Sequence, residues 1–187
     1  MIPELSEIQR EIEGFEERIN EIRKKREEAL KQYTHRESYR DVFSINDELQ
    51  VKAVKRMLSD IGIESDLTKP SHVVDLLGKD VAVEVTSDSD KITTKSDSLT
   101  QVSRFIQTER KAEKVILVAN THKRLALEQR TGKDDFSPEA KDFLESLKVC
   151  CMSAFSLYSL WKKVQEKHIP PDKARSLIFD CRGELRL

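Results

Sequence analysis

The stretch Val73-Val74-Asp75-Leu76-Leu77-Gly78-Lys79-Asp80-Val81-Ala82-Val83-Glu84-Val85 sets two apolar runs on either side of a glycine-containing turn, the pattern of a β-hairpin. A Gly78-Lys79 turn of type II′, which wants glycine first, fixes the register: Leu77 faces Asp80 and Asp75 faces Ala82. Side chains alternate along a strand, so Asp75, Ala82, Glu84 and Thr86 then share one face while Val81, Val83 and Val85 share the other. Asp75 and Glu84 become diagonal neighbours, roughly 7–8 Å apart. Two such carboxylates can converge on a hard cation like Mg²⁺, which takes one or two carboxylates together with waters and phosphate oxygens. An ordinary polar, solvated sheet face is the other use of the same pattern.

Elements on both sides of the hairpin follow from periodicity. Asn46 or Asp47 caps a helix that carries Leu49, Val51, Val54, Met57 and Leu58 and ends at Gly62. A strand is expected near Ile63 to Leu67. Beyond a polar loop from Ser87 to Asp97, a helix from about Ser98 to Lys111 turns Leu99, Val102, Phe105 and Ile106 inward. Val115 to Ala119 is a continuous apolar run, as expected of a strand covered on both faces. Strand, helix and buried strand in that order predict a right-handed parallel crossover. A long polar loop from Asn120 to Phe136 leads to a helix with Ser137 as cap and Pro138 at its first position. A short strand from Lys148 to Met152, a helix through Leu157, Leu160, Trp161 and Val164, and an element opened by Pro170-Pro171 complete the chain. The order predicts an α/β or α+β fold, a mixed sheet flanked by helices.

The first residues obey a different period. Leu5, Ile8, Ile12, Phe15, Ile19 and Ile22 recur at alternating steps of three and four, with charged residues nearly everywhere else, which predicts a coiled-coil helix over 1–32. Residues 33–44 have no clean period and read as a hinge, leaving 45–187 as the folded domain. With Leu5 at position a, a parallel homodimer sets Glu11 against Glu16 and Arg18 against Arg23, so an antiparallel homodimer is the expected partner arrangement. Folding of the helix back onto its own domain is the alternative.

Composition narrows the function. Residues 1–44 hold nine Lys/Arg and eleven Asp/Glu, and the whole chain has a net charge of −1, so the remainder is close to neutral. Any grip on nucleic acid must therefore be local. The basic stretch from Arg104 through Arg110, Lys111 and Lys114 to Lys133 is the candidate; within it Lys123, Arg124 and Arg130 are either phosphate contacts or solvated loop charges. Cys150, Cys151 and Cys181 have no metal-ligand spacing and read as buried reduced thiols. With no apolar run long enough for a bilayer and no leader pattern, a cytoplasmic protein without a membrane partner is expected.

A resemblance rests on six segments taken in order: the Glu48-bearing helix, the Asp75 to Glu84 hairpin, Gln101 on the crossover helix, Val115 to Asn120, Phe136-Ser137-Pro138-Glu139 and the closing Leu177 to Leu185. From about Ile45 to Leu187 the chain resembles the PD-(D/E)xK, or restriction-endonuclease-like, nucleases, and within them an archaeal nuclease-like group. The resemblance implies a restriction-endonuclease-like mixed sheet and Mg²⁺- or Mn²⁺-dependent phosphodiester hydrolysis on nucleic acid, DNA first. It implies that Asp75, Glu84 and the Val85 carbonyl bind the metal, that Glu48 assists, and that Gln101 contacts DNA or orients the site. Thr86 stands where the family has its lysine, a departure that implies a weak or degenerate site unless Lys91 or Lys95 in the next loop takes over. A catalytically inactive nuclease fold, kept as a nucleic-acid-binding or oligomerisation scaffold, is the competing expectation.

Overall fold

The computed structural model describes the chain apart from residues 1, 2, 70, 71, 110, 111, 131 and 187, and apart from the side chains of residues 3, 4, 6, 32, 35 and 36. Arg110 and Lys111 of the basic stretch thus lie outside the described residues. The chain divides into two units, Met1–Ser38 and Tyr39–Leu187.

The first unit is the single helix α1, Pro3–Glu37. It runs past the expected end at 32, because Leu30 and Tyr33 keep company with good helix formers and no glycine or proline intervenes. Residues 33–44, aperiodic in sequence, carry regular structure over most of their length. Their first five belong to α1, and Ser38–Phe43 form a 3₁₀ turn with Tyr39 and Val42 buried in the second unit.

Within that second unit Tyr39 stacks on Trp161, ring centroids 4.2 Å apart, and donates its hydroxyl to Asp60 at 2.8 Å. Trp161 Nε1 donates to the same Asp60 oxygen at 2.7 Å. Sequence gave these residues no common period, so only the tertiary contact reveals them as one cluster.

Helix α2, Asp47–Asp60, is capped by the Asn46 side chain, which accepts the Leu49 N–H at 3.1 Å, and Asp47 and Glu48 suit the positive end of its dipole. It stops before Gly62, whose φ of +86° is the left-handed conformation glycine tolerates. A meander follows: β1 (Asp66–Leu67), β2 (Leu76–Leu77) and β3 (Val81–Ser87), each antiparallel to the one before. Helix α3, Asp97–Thr108, then crosses to β4, Lys114–Asn120, which pairs parallel with β3 and is buried at every residue.

The expected loop from 120 to 136 contains a single short turn of helix, α4 (Leu127–Arg130). Helix α5, Pro138–Ser146, begins as expected, the Ser137 hydroxyl accepting the Ala140 N–H at 3.2 Å. Strand β5 (Cys150–Ser153), helices α6 (Ala154–Gln165) and α7 (Pro171–Asp180) and strand β6 (Gly183–Glu184) finish the unit. The six strands lie in chain order, with β3 to β6 parallel.

Alternation along the central strands makes two cores. Val81, Val83, Ile116, Val118, Cys150 and Met152 face α2, α6 and α7; Ala82, Val115, Leu117, Ala119 and Cys151 face α3 and α5. Each fully buried Ile, Leu or Phe in these layers contributes roughly 1.5–3 kcal/mol. The fold is mixed α/β, a six-stranded mixed sheet with helices on both faces. Cys150 and Cys151 are buried as expected, whereas Cys181, just after α7, is part exposed.

The hairpin departs from the expected register. Leu76 faces Val83 and Leu77 faces Ala82, two residues from the Leu77–Asp80 and Asp75–Ala82 pairing. Lys79 and Asp80 form the tip, closed by the Gly78 N–H donating to the Val81 carbonyl at 2.8 Å. Gly78 does not take the positive φ that a type II′ turn needs. It is glycine because a Cβ there would sit 2.2 Å from the Glu64 carbonyl oxygen. A slip of two keeps every side chain of β3 on its expected face, because the period is two.

Candidate functional site

The β2–β3 ladder ends irregularly, and the irregularity makes a site. Leu77 faces the core under α3 and Leu76 the core under α2, yet Val74 returns to the α3 side instead of following Leu76. The Asp75 N–H donates to the Val83 carbonyl at 3.1 Å, so Leu76 and Asp75 are both set against Val83. One extra residue on one strand is a bulge, and bulges re-aim the side chain they carry. Here the Asp75 carboxylate turns along the edge of β3 and accepts the Val85 N–H at 2.8 Å.

A cleft of about 350 Å³ opens at this ladder end, lined by Glu48 from α2, Asp75, Glu84 from β3 and Gln101 from α3. Glu84 is 5% exposed. Burial first, and then the charge of Asp75, push its carboxyl up to about 9. Burial likewise raises Asp75, countered in part by the Val85 N–H and reinforced by the charge of Asp47. Glu48 sits at the rim, its exposed carboxylate paired with Lys52 at 2.5 Å. That pairing holds Glu48 below the usual carboxylate range.

Among the described residues no group of three or more His, Cys, Asp or Glu side chains is placed to hold a metal ion. A two-carboxylate site is what remains, and its chemistry fits a hard divalent cation. Both side-chain donors are oxygens, as a hard cation prefers, and a cation there would offset the burial of the Glu84 carboxylate. A strand residue turns its N–H and C=O to the same neighbour. Since the Val85 N–H meets Asp75, the Val85 carbonyl lies on that edge too.

The candidate cations fall elsewhere. Thr86 lies on β3 two residues beyond Glu84 and is not among the residues lining the cleft; neither are Lys91 and Lys95. The Ile92–Phe136 bridge ties their loop to the start of α5, where Lys91 lies near Glu139. The lysine that does line the cleft is Lys69, with His72 beside it. The Thr68 N–H donates to the Asp75 carbonyl at 2.9 Å and the Thr68 hydroxyl to the Val74 carbonyl, so Thr68 is held against the Val74-Asp75 backbone at the cleft. Sequence reading missed Lys69 because the segment has neither helical nor strand period; its nearness to Asp75 in the chain was the one available signal.

Arg130 is committed within the fold. It is 9% exposed, and its guanidinium donates to the carbonyls of Leu125 and Lys123, each at 3.0 Å, and to Asn120 Oδ1 at 2.8 Å. These bonds fold the loop after β4 back on itself. Lys123 is part buried, its N–H bound to the Asp88 carbonyl at 3.1 Å, and Arg124 is exposed; neither lines the cleft. Lys114 is also buried, donating to the carbonyls of Lys148 at 3.3 Å and of Cys181. Two cations of the basic stretch thus serve the fold.

No protein-family model, curated protein or solved structure matches the chain. Among the described residues no helix is long and apolar enough to cross a membrane.

Proposed function

We propose that the Asp75/Glu84 cleft is the centre of a Mg²⁺- or Mn²⁺-dependent phosphodiesterase of the PD-(D/E)xK kind, acting on DNA and weakened by Thr86. The observation that supports this reading is convergence: Glu48, Asp75, Glu84 and Gln101, from three separate elements, line one cleft. Glu84, Asp75 and the Val85 carbonyl would hold the cation, which when bound supplies an acidified water and charge neutralisation at the phosphate. Asp75 is kept in place by the Val85 N–H, so its orientation does not depend on the ion. Gln101 offers an amide to orient a water or a phosphate oxygen from the α3 side. Lys69 at the mouth places positive charge where a phosphodiester backbone would enter, with His72 beside it.

The competing reading, a nuclease fold kept for binding or scaffolding, draws on Thr86, on the Glu48–Lys52 pair and on a cleft lining that does not include Lys91 or Lys95. Cleavage of supercoiled plasmid and of labelled duplex in Mg²⁺ or Mn²⁺, against chelator and against Asp75→Asn, separates the two. Metal-dependent nicking that Asp75→Asn abolishes carries the first reading; nucleic-acid binding with no nicking carries the second.

A further inference from the structure

Helix α1 presents Leu5, Ile8, Ile12, Phe15, Ile19 and Ile22 at 48–65% exposure, an apolar stripe that charged Arg26 interrupts before exposed Leu30 and Tyr33. Single apolar residues on a surface are ordinary, but six in one seam call for a cover. We propose that the cover is α1 of a second copy, antiparallel, in a register where paired positions sum to 27.

The stripe itself selects that register. Leu5 then packs on Ile22, Ile8 on Ile19 and Ile12 on Phe15 of the other copy, so all six apolar residues are used twice and the overlap ends where the stripe is interrupted. Arg26, the next seam position, falls beyond the overlap. In a parallel pair the two Arg26 side chains would instead meet in the core layer.

Flanking charges select the same orientation. In the antiparallel register Glu11 lies beside Arg18 of the other copy, and by symmetry the contact occurs twice; Gln9 lies beside Glu16, a neutral pairing. The parallel arrangement would set Glu11 against Glu16 and Arg18 against Arg23, like charges on both flanks. At 1.5 Å per residue the two Glu37 ends finish roughly 70 Å apart, so the copies diverge from the seam in opposite directions.

The test is sedimentation velocity of the full chain from about 1 to about 100 µM, for the unaltered protein, Arg18→Glu, Glu11→Arg and the double exchange, with circular dichroism to confirm equal helix content. A reversible dimer is expected. Each single change should raise the dimer dissociation constant about tenfold, since two attractive pairs become repulsive, and the double exchange should restore it. A monomer throughout the range would overturn the proposal. So would tighter association of either single variant, the outcome of a parallel pair, or failure of the double exchange to restore the dimer.

Discussion

The Asp75 carboxylate accepts the Val85 backbone N–H at 2.8 Å, from a neighbouring strand that carries Glu84 one residue earlier. A side chain thereby takes the place of a missing ladder partner, and the fold holds the acid beside a second, more deeply buried one. Asn at position 75 can still accept that N–H through its amide oxygen but brings no negative charge. Asp75→Asn should therefore keep its thermal stability within about 1 kcal/mol and lose Mg²⁺ and Mn²⁺ binding by titration calorimetry. Unchanged metal affinity in the variant would remove Asp75 from the ligand set.

Glu84 makes stability depend on pH in metal-free protein. Its folded pKa, about 9, lies above the ordinary value of 4.5. The unfolded chain therefore releases this proton first, and the contribution of the neutral acid is fully present below the ordinary value. It is lost as pH rises toward 9, by on the order of 1 kcal/mol per pH unit across that window. Glu84→Gln, permanently neutral, should flatten the curve and melt on the order of 5 °C higher than the unaltered protein at pH 8 in chelator. Parallel melting curves for the two proteins from pH 5 to pH 9 would contradict the burial argument.

Cleavage should respond to charge at two positions. Thr86→Lys, restoring a cation two residues after Glu84, should raise the nicking rate by about ten- to a thousandfold. Lys69→Ala should lower whatever rate the unaltered protein has, whereas Lys91→Ala and Lys95→Ala should leave it alone. A loss confined to Lys91→Ala or Lys95→Ala would mean that the loop after β3 closes over the cleft when substrate binds.

Arg130→Met should cost about 2–4 kcal/mol in urea unfolding, because one buried and two part-buried acceptors lose their donor at once. Arg124→Ala, on the exposed part of the same loop, should be neutral for stability. Equal stabilities would show that the loop after β4 does not depend on its guanidinium.

Sequence made the elements legible wherever one period ruled. Val115 to Ala119 announced a strand buried on both faces, and Asn46, Gly62 and Ser137 marked helix ends that the fold places within a residue or two. Chemistry and spacing nominate Asp75 and Glu84, the family resemblance adds Glu48 and Gln101, and the four line one cleft. The failures have a common cause, which is contact between segments distant in the chain. Gly78 looked like a turn glycine because the Glu64 carbonyl that demands it is fourteen residues away. Arg130 looked like a surface cation because its acceptors are loop carbonyls that carry no sequence signature. The bulge at Asp75 was invisible because alternation alone cannot say where a ladder stops. Gly78→Ala checks the first of these: it should lose about 1–3 kcal/mol in denaturant unfolding, where a glycine needed only for turn flexibility would lose a few tenths.

The Tyr39–Trp161 stack over Asp60 decides where the polypeptide can be severed. A protease nick between Glu37 and Tyr39 would detach the first helix and leave every ring in that cluster seated. A nick after Phe43 would carry off Tyr39 and Val42, open Trp161 to water and strip Asp60 of its phenolic donor. Anyone excising the sheet-bearing half should therefore begin the chain at Ser38, and a fragment begun at Ile45 should be recovered misfolded or not at all.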